Sequence, residues 1–170
     1  MDAATLRSIQ SPIKERYKGD AQAAQITLSA KGTLDESRIV CKVETGSALK
    51  LAGLHPATGG SGLELCSGDM LLESLVACAG VTLKAVATAL EIPVRSGKVS
   101  AEGDLDFRGT LGVSKDVPVG FAAIRLVFDI DSDAPQEKLD QLLKLTERYC
   151  VVYQTIRAGV PVEVRMTRPA

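Results

Sequence analysis

The chain has 170 residues, 45% of them hydrophobic and 24% charged, and a net charge of −1. This length and composition fit one soluble globular domain that buries its core without disulfides or metals. The near-neutral charge, the lack of tryptophan and an aromatic content of 4% argue against nucleic acid as a partner, because binding it needs a basic surface or stacking side chains.

The N-terminal 25 residues lack the apolar stretch of a signal peptide. The longest apolar run, residues 67–90, is interrupted by Asp69, Glu73 and Lys84, so we expect no membrane-spanning helix. The sequence therefore predicts a cytoplasmic protein. In that compartment the four cysteines are expected to be free or redox-active thiols rather than structural disulfides.

The first third of the chain predicts a hairpin followed by a loop. Residues 1–24 are polar and mixed, which is typical of an N-terminal arm or a short helix. Residues 26–30 and 38–44 contain β-branched residues and flank a polar turn at 35–37, as in a β-hairpin. Residues 45–68 are rich in glycine and turn formers, which indicates a loop with one short extended piece.

The strongest helical pattern covers residues 67–90. Ser67 is the expected N-cap, Asp69 lies in the first turn, and Pro93 follows the end. At about 100° per residue the polar side chains fall in one narrow stripe and almost all others are apolar. Such a helix is expected to be buried nearly all round.

Three further segments predict strands: 98–109, 119–131 and 160–166. Two more helices are expected between the last two strands. Residues 134–149 form the first, with Asp133 as N-cap and Pro135 in the first turn. A helical turn or two follows at 150–157, with Gly159 as C-cap. The order β-β-α-β-β-α-α-β predicts a single α+β domain over 1–170.

Cys78 lies in the middle of the 67–90 helix, about 130° from the polar stripe and between Ser74 and Thr82 on one face. It is either a small packing residue or a reactive thiol. Apolar burial raises the pKa of a thiol above its usual value of about 8.5, and the N-terminus of its own helix is three turns away. A reactive Cys78 is therefore expected to need a cation, above all an arginine, from another segment.

The other cysteines leave fewer options. Cys150 stands where one helix ends and another begins, which suits either a low-pKa thiol or a buried junction residue. Cys41 and Cys66 are expected to be structural. A zinc site built from these cysteines and His55 is disfavoured, because the sequence has no C-x-x-C pair and only one histidine.

Two segments resemble a known family. SGDMLLESLVACAGVTL (67–83) is similar to the helix with a buried cysteine in the OsmC/Ohr family of osmotically inducible and organic hydroperoxide resistance proteins. YCVVYQTIRAGVPVEV (149–164) resembles that family's Cys-Pro-Val-Ser segment and the strand after it. The matching cysteines are Cys78 and Cys150, 72 positions apart. The resemblance extends over roughly residues 25–168.

The resemblance implies an OsmC-like α+β fold, with curved antiparallel sheets around two central helices in an intertwined homodimer. It implies a thiol-dependent peroxidase with its active sites at the dimer interface and no bound cofactor, metal, nucleic acid or membrane. Cys78 would be the peroxidatic cysteine that attacks the hydroperoxide, and Cys150 the resolving cysteine that forms a disulfide with it. An external dithiol, such as a lipoyl or thioredoxin-type protein, would reduce that disulfide.

The chain departs from the family pattern at three places. The proline after the second cysteine is replaced by Val151. The family's arginine in the N-terminal part has two candidates here, Arg16 and Arg38. The family's carboxylate, nine or ten residues before the first cysteine, falls on Asp69 or Gly68.

Asp69 points away from Cys78 on an ideal helix, so it could act only if the chain there is not yet helical. Glu64 and Glu73 are weaker alternatives.

Two other functions stay open from the sequence. One is a non-catalytic protein of this fold that binds an apolar ligand at the dimer interface, lined by the loop at 53–65. The other is a dimer in which both cysteines are structural.

Overall fold

The computed structural model of the protein describes the backbone of residues 2–19, 25, 31–34, 40–45 and 48–168, and the side chains of 2–15, 25 and 51–168. The elements are, in chain order, α1 (Ala3–Gly19), β1 (Lys31–Leu34), β2 (Val40–Thr45), β3 (Ala48–Gly53), a 3-10 turn (Pro56–Thr58), β4 (Leu65–Cys66), α2 (Ser67–Ala89), β5 (Ser96–Leu105), α3 (Phe107–Thr110), β6 (Phe121–Asp131), α4 (Gln136–Tyr149) and α5 (Val151–Ala158).

The strands form two separate sheets. The first has the order β1-β2-β3-β4, with β4 parallel to β3 and the other pairs antiparallel. The second is a long antiparallel pair, in which β5 and β6 run in register from Ser96 opposite Asp131 to Asp104 opposite Ala123, and a bulge then brings Leu105 opposite Phe121. Phe121 lies over Gly103, where a Cβ would come within 2.4 Å of its ring, so glycine is needed to let that ring pack against the strand.

The core is the contact between α2 and α4. The fully buried residues of α2 recur every fourth position: Leu75, Ala79, Leu83 and Ala87. On α4 the buried residues Leu142 and Thr146 have the same spacing, and Cys150 continues the series just after the helix. The Thr146 hydroxyl donates to the Leu142 carbonyl at 2.8 Å, so the one buried hydroxyl of this stripe is hydrogen-bonded. Cys150 is thereby fixed against α2 by packing.

Much of the expected order is confirmed. β1 and β2 form the predicted hairpin, although the segment at 26–30 lies outside the described residues. The long helix, the strands β5 and β6 and the last two helices occur where expected, and Gly159, with a φ of 66°, ends α5. The expected arm is in part a 17-residue helix, α1. The expected loop at 45–68 contains β3 as its extended piece, and also the short strand β4.

Three local predictions are wrong. Cys66, in extended conformation, is the N-cap of α2, and Ser67 is already helical. Pro135, not Asp133, is the N-cap residue of α4, and Asp133 forms an ion pair with Arg95. The predicted strand at 98–109 stops at 105, and its last residues form the short helix α3.

Two larger differences concern burial. Residues 160–166 are not a strand: they pair with no described strand, and Val164 is 89% exposed. A strand needs a partner edge, and α5 delivers this segment to solvent. Nor is α2 buried nearly all round, since Val81 is 72% and Leu71 41% exposed. The apolar residues on which both predictions were based are largely exposed on the surface of the single chain.

By length and composition alone, α2 is apolar enough to cross a bilayer. A single helix of this kind does not distinguish a membrane span from the core helix of a soluble protein. In this structure α2 packs against α1, α4, α5 and β5.

Candidate active site

Cys150 occupies the break between α4 and α5. It ends α4 and serves as the N-cap of α5, with an extended backbone at φ −72° and ψ 108°. Only 1% of the residue is exposed. Its Sγ accepts a hydrogen bond of 3.5 Å from the backbone N–H of Tyr153, as a capping side chain does. The break turns the first N–H groups of α5 toward the middle of α2.

Cys78 is half-buried in α2, where this helix packs against α5. The backbone N–H groups of Val152 and Val151, at the N-terminus of α5, and the Cys150 thiol act on the pKa of this sulfur. The Thr82 hydroxyl donates to the Cys78 carbonyl at 2.8 Å, which uses its one proton.

These surroundings shift the pKa values of the two thiols in opposite directions. Burial acts to raise the pKa of Cys78, but the hydrogen bonds from Val152, Cys150 and Val151 outweigh it, so this pKa is below its usual value. Burial raises the pKa of Cys150; the Tyr153 N–H opposes this less strongly, and the Cys78 sulfur adds a smaller upward effect. Cys78 thus ionises first while Cys150 keeps its proton.

The expectation that Cys78 needs a cation stays a prediction. The N-terminus of its own helix is indeed far away, but α5 brings a second helix N-terminus to the sulfur. None of the charged side chains in the described part of the chain contributes to the lowered pKa of Cys78. Arg16 lies in α1, with its side chain outside the described set, and Arg38 lies outside the described residues. Their roles stay predictions.

Asp69 is not brought to the thiols. It lies in the first turn of α2, nine residues and thus about 13 Å of helix before Cys78. Its side chain lines a separate cavity of about 360 Å³ with His55, Cys66 and Phe107. The condition for its participation, a non-helical chain at that point, is therefore not met.

The two weaker carboxylate candidates do not approach the thiols in the described structure either. Glu64 accepts a hydrogen bond from Ser61 in the loop before α2, and its side chain packs against Gly53. Glu73 is an exposed residue of α2. Gly68, the other aligned position, has no side chain to offer. The described part of the chain therefore provides no carboxylate that acts on Cys78.

The remaining cysteines stay apart from this pair. Cys66 caps α2 and lines the separate cavity. Cys41 belongs to β2 and pairs through its backbone with Ala52. Among the residues whose side chains are described, no three histidine, cysteine or acidic groups come together in a way that could hold a metal ion.

An apolar groove of about 560 Å³ is lined by residues that flank the two cysteines, and the sequence did not reveal it. Leu75 in its wall is three residues before Cys78, and Tyr153 in its wall donates to the Cys150 sulfur. The opposite wall comes from β6. Glu147 and Arg157 are its charged residues. The available signal is the apolar character of β6, which the sequence analysis used only to predict a strand; it does not indicate that α4 and α5 leave space above the sheet.

The structure brings two free cysteines together. A helix N-terminus lowers the pKa of one, and burial raises the pKa of the other. The chain is therefore a thiol protein with a candidate redox pair. A sequence model described as OsmC-like protein matches residues 60–165, which is more than half of the chain. The chain therefore belongs to the OsmC-like protein family, as the two cysteine segments predicted. None of the curated proteins matches the sequence.

Solved structures confirm the α+β fold expected from the resemblance. An OsmC-like protein from Mycoplasma pneumoniae superposes with a TM-score of 0.66 at 16% identity, over 79% of this chain and 90% of that one. An organic hydroperoxide resistance protein from Elizabethkingia anophelis gives 0.63 at 15% identity, over 79% and 91%. That of Bacillus subtilis gives 0.52 at 19%, over 78% and 93%. Identities this low establish the fold alone.

The lowered pKa of Cys78 predicts its reactivity. Since the thiolate is the nucleophile, alkylation by iodoacetamide should rise with pH and level off once the pH passes the pKa. We expect the midpoint for Cys78 to lie below about 8.5 and that for Cys150 above it. Rates measured peptide by peptide with mass spectrometry test this. A midpoint for Cys78 above that of Cys150 would reverse the assigned roles.

Proposed function

We propose that this protein is a thiol peroxidase that reduces organic hydroperoxides, with Cys78 as the peroxidatic and Cys150 as the resolving cysteine. The observation that carries the proposal is that two free cysteines meet where α2 packs on α4 and α5, each acting on the pKa of the other. The organic hydroperoxide resistance proteins among the structural neighbours support the choice of substrate.

The reaction balances with the groups present. The Cys78 thiolate attacks the distal oxygen of ROOH, the O–O bond breaks, and the alkoxide takes a proton to leave as ROH, giving a sulfenic acid on Cys78. The Cys150 sulfur then attacks the Cys78 sulfur, and the hydroxyl leaves as water. The product is a Cys78–Cys150 disulfide. An external dithiol reduces it by two exchanges and becomes a disulfide itself.

Each thiol suits its step. The first step needs a thiolate, which the N-terminus of α5 stabilises on Cys78. The second step needs a thiol that stays protonated until the first is finished, which burial secures for Cys150. Because the two thiols are near enough to act on each other's pKa, we expect disulfide formation to need a local adjustment rather than a rearrangement of the fold.

The organic part of the substrate has a place in the structure. The groove beside the thiols is walled largely by aliphatic and aromatic side chains, and about 560 Å³ is ample for a medium-sized organic ligand. In this proposal the chain needs no bound cofactor and works in the cytoplasm. Its reductant is a small protein dithiol of the lipoyl or thioredoxin type.

We further propose that the active form is a homodimer. Apolar side chains are exposed on α2 and α5, among them Val81 at 72% and Val151 at 68%. The C-terminal segment 160–166 alternates exposed valines with polar residues and lacks a described partner strand. A second copy would cover these surfaces and offer the segment a strand edge.

Cysteine substitutions test the chemistry. Cys78→Ser should abolish hydroperoxide consumption, since Cys78 supplies the nucleophile of the first step. Cys150→Ser should still release about one equivalent of alcohol per subunit, and then fail to turn over with a dithiol. Cys66→Ser is the matched control and should keep full activity, because Cys66 lines a separate cavity.

Stopped-flow consumption of cumene hydroperoxide, with dihydrolipoamide as reductant, measures all three variants. Full activity in Cys78→Ser would eliminate the proposal. Loss of activity in Cys66→Ser alone would place the reaction in the other cavity.

The molecular mass in solution tests the proposed dimer. Sedimentation of the full chain should give about twice the mass of one chain, and Val162→Asp with Val164→Asp should shift it toward the monomer, because charges would then be buried in the interface. Glu163→Asp, in the same exposed segment, is the control and should not. A monomer at micromolar concentration in the unchanged protein would refute this part of the proposal.

A second function is favoured by one observation, the groove itself. A protein that only binds an apolar ligand there would have the same cavity but no use for an acidic Cys78. Treatment with one equivalent of hydroperoxide separates the two functions. Cys78 should be oxidised in the peroxidase and remain reduced in a binding protein, whose melting temperature would instead rise with a bound fatty acid.

A further inference from the structure

Most hydrogen bonds at the break between α4 and α5 involve Cys150 itself. Its N–H donates to the Thr146 carbonyl at 2.9 Å, and its own carbonyl accepts from the N–H of Gln154 at 3.0 Å. One bond bypasses it: the side-chain amide Nε2 of Gln154 donates to the Glu147 carbonyl at 2.7 Å, seven residues back. Among the described residues, this is the one hydrogen bond that joins a residue of α4 directly to a residue of α5.

We propose that Gln154 is a positioning residue for the thiol pair: its amide fixes the angle between α4 and α5 and thereby holds the Cys150 sulfur beside Cys78. The role depends on the proposed function, because only a redox pair requires this alignment. Its effect on the two thiols can nevertheless be measured without any peroxide.

The Glu147 carbonyl needs a donor that the backbone does not supply. In a continuous helix it would accept from the N–H four residues on, which belongs to Val151. The extended backbone of Cys150 ends α4 before that bond can form, and the last carbonyls of a helix are left without partners. Gln154 supplies the missing donor at a half-buried position, where an unsatisfied carbonyl is costly. The bond therefore ties the last turn of α4 to the first turn of α5.

Other restraints on the direction of α5 are weak in this structure. Val151, its first residue, has no ring that would fix φ as a proline does, and its side chain is 68% exposed. None of the eight residues of α5 is fully buried. Cys150, in contrast, is buried against α2. The Gln154 amide closes a short loop around this buried residue, so it acts where the direction of α5 is decided.

The direction of α5 bears on the Cys150 sulfur through Tyr153. The N–H of Tyr153, in the first turn of α5, donates to that sulfur at 3.5 Å. A change in the angle of α5 would move this donor, whereas Cys78 stays with α2. A disulfide forms only within narrow limits of distance and orientation, so the effective concentration of one thiol at the other depends on that angle. Loss of the Gln154 amide should lower it without removing either thiol.

The reduction potential of the Cys78–Cys150 couple measures this effective concentration. The full chain is equilibrated with glutathione buffers of known ratio, and the crosslinked peptides are quantified by mass spectrometry. Gln154→Met keeps the length of the side chain and removes the donor. We expect it to disfavour the disulfide about fivefold, as for one lost hydrogen bond, which raises the potential of this two-electron couple by about 20 mV.

Gln141→Met is the matched control, because Gln141 is an exposed residue of α4 whose side chain has no described bond to α5. Its potential should equal that of the unchanged protein. Gln154→Ala covers the case in which Gln154→Met does not fold, since alanine favours the helix, and it should show the same rise. A merely structural role of Gln154 would lower the melting temperature and leave the potential as it is. A potential in the Gln154 variants equal to or below that of the unchanged protein overturns the proposal.

The result also distinguishes this proposal from the proposed function. If the potential rises in the Gln154 variants while the unchanged protein does not consume cumene hydroperoxide, the positioning role holds and the peroxidase function fails. If the protein is an active peroxidase and the potentials are equal, the role of Gln154 alone fails. If no Cys78–Cys150 disulfide forms at any glutathione ratio, both fail.

Discussion

The site depends on the contact between the first turn of α5 and the middle of α2. Cys150 makes this contact possible, because its extended backbone ends α4 and redirects the chain so that the next N–H groups meet Cys78. The buried series on α4, with Leu142 and Thr146, holds this break against α2. Cys150 therefore contributes to both the packing and the acidity of the site. It completes the buried core, and it directs the N-terminus of α5 toward the reactive sulfur.

The same contact assigns different roles to two chemically identical side chains. The N–H groups at the start of α5 lower the pKa of Cys78, whereas Cys150 lies at the cap and is almost fully buried. Environment rather than residue type decides which thiol ionises. The groove along β6 adds an apolar region whose wall includes Leu75 and Tyr153, which flank the pair.

The sequence revealed the helices, the long strand pair and both cysteines, because periodicity, caps and the two family-like segments are local signals. It failed where tertiary context decides. The apolar alternation at 160–166 and the apolar surface of α2 predicted burial that a single chain does not provide. The donors at Cys78 were also missed, because backbone N–H groups belong to every residue and only the fold determines where they point. Asp69 was a candidate from the sequence, but a regular helix places it away from Cys78 in the same chain.

The central claim is that Cys78 and Cys150 form one redox pair. Mass spectrometry of the protein treated with one equivalent of cumene hydroperoxide tests it most directly, with peptides separated under non-reducing conditions. The account predicts a single new crosslink between the peptides that carry Cys78 and Cys150, with Cys66 remaining a free thiol. A crosslink that involves Cys66, or a Cys78 that stays reduced while the peroxide persists, would contradict it.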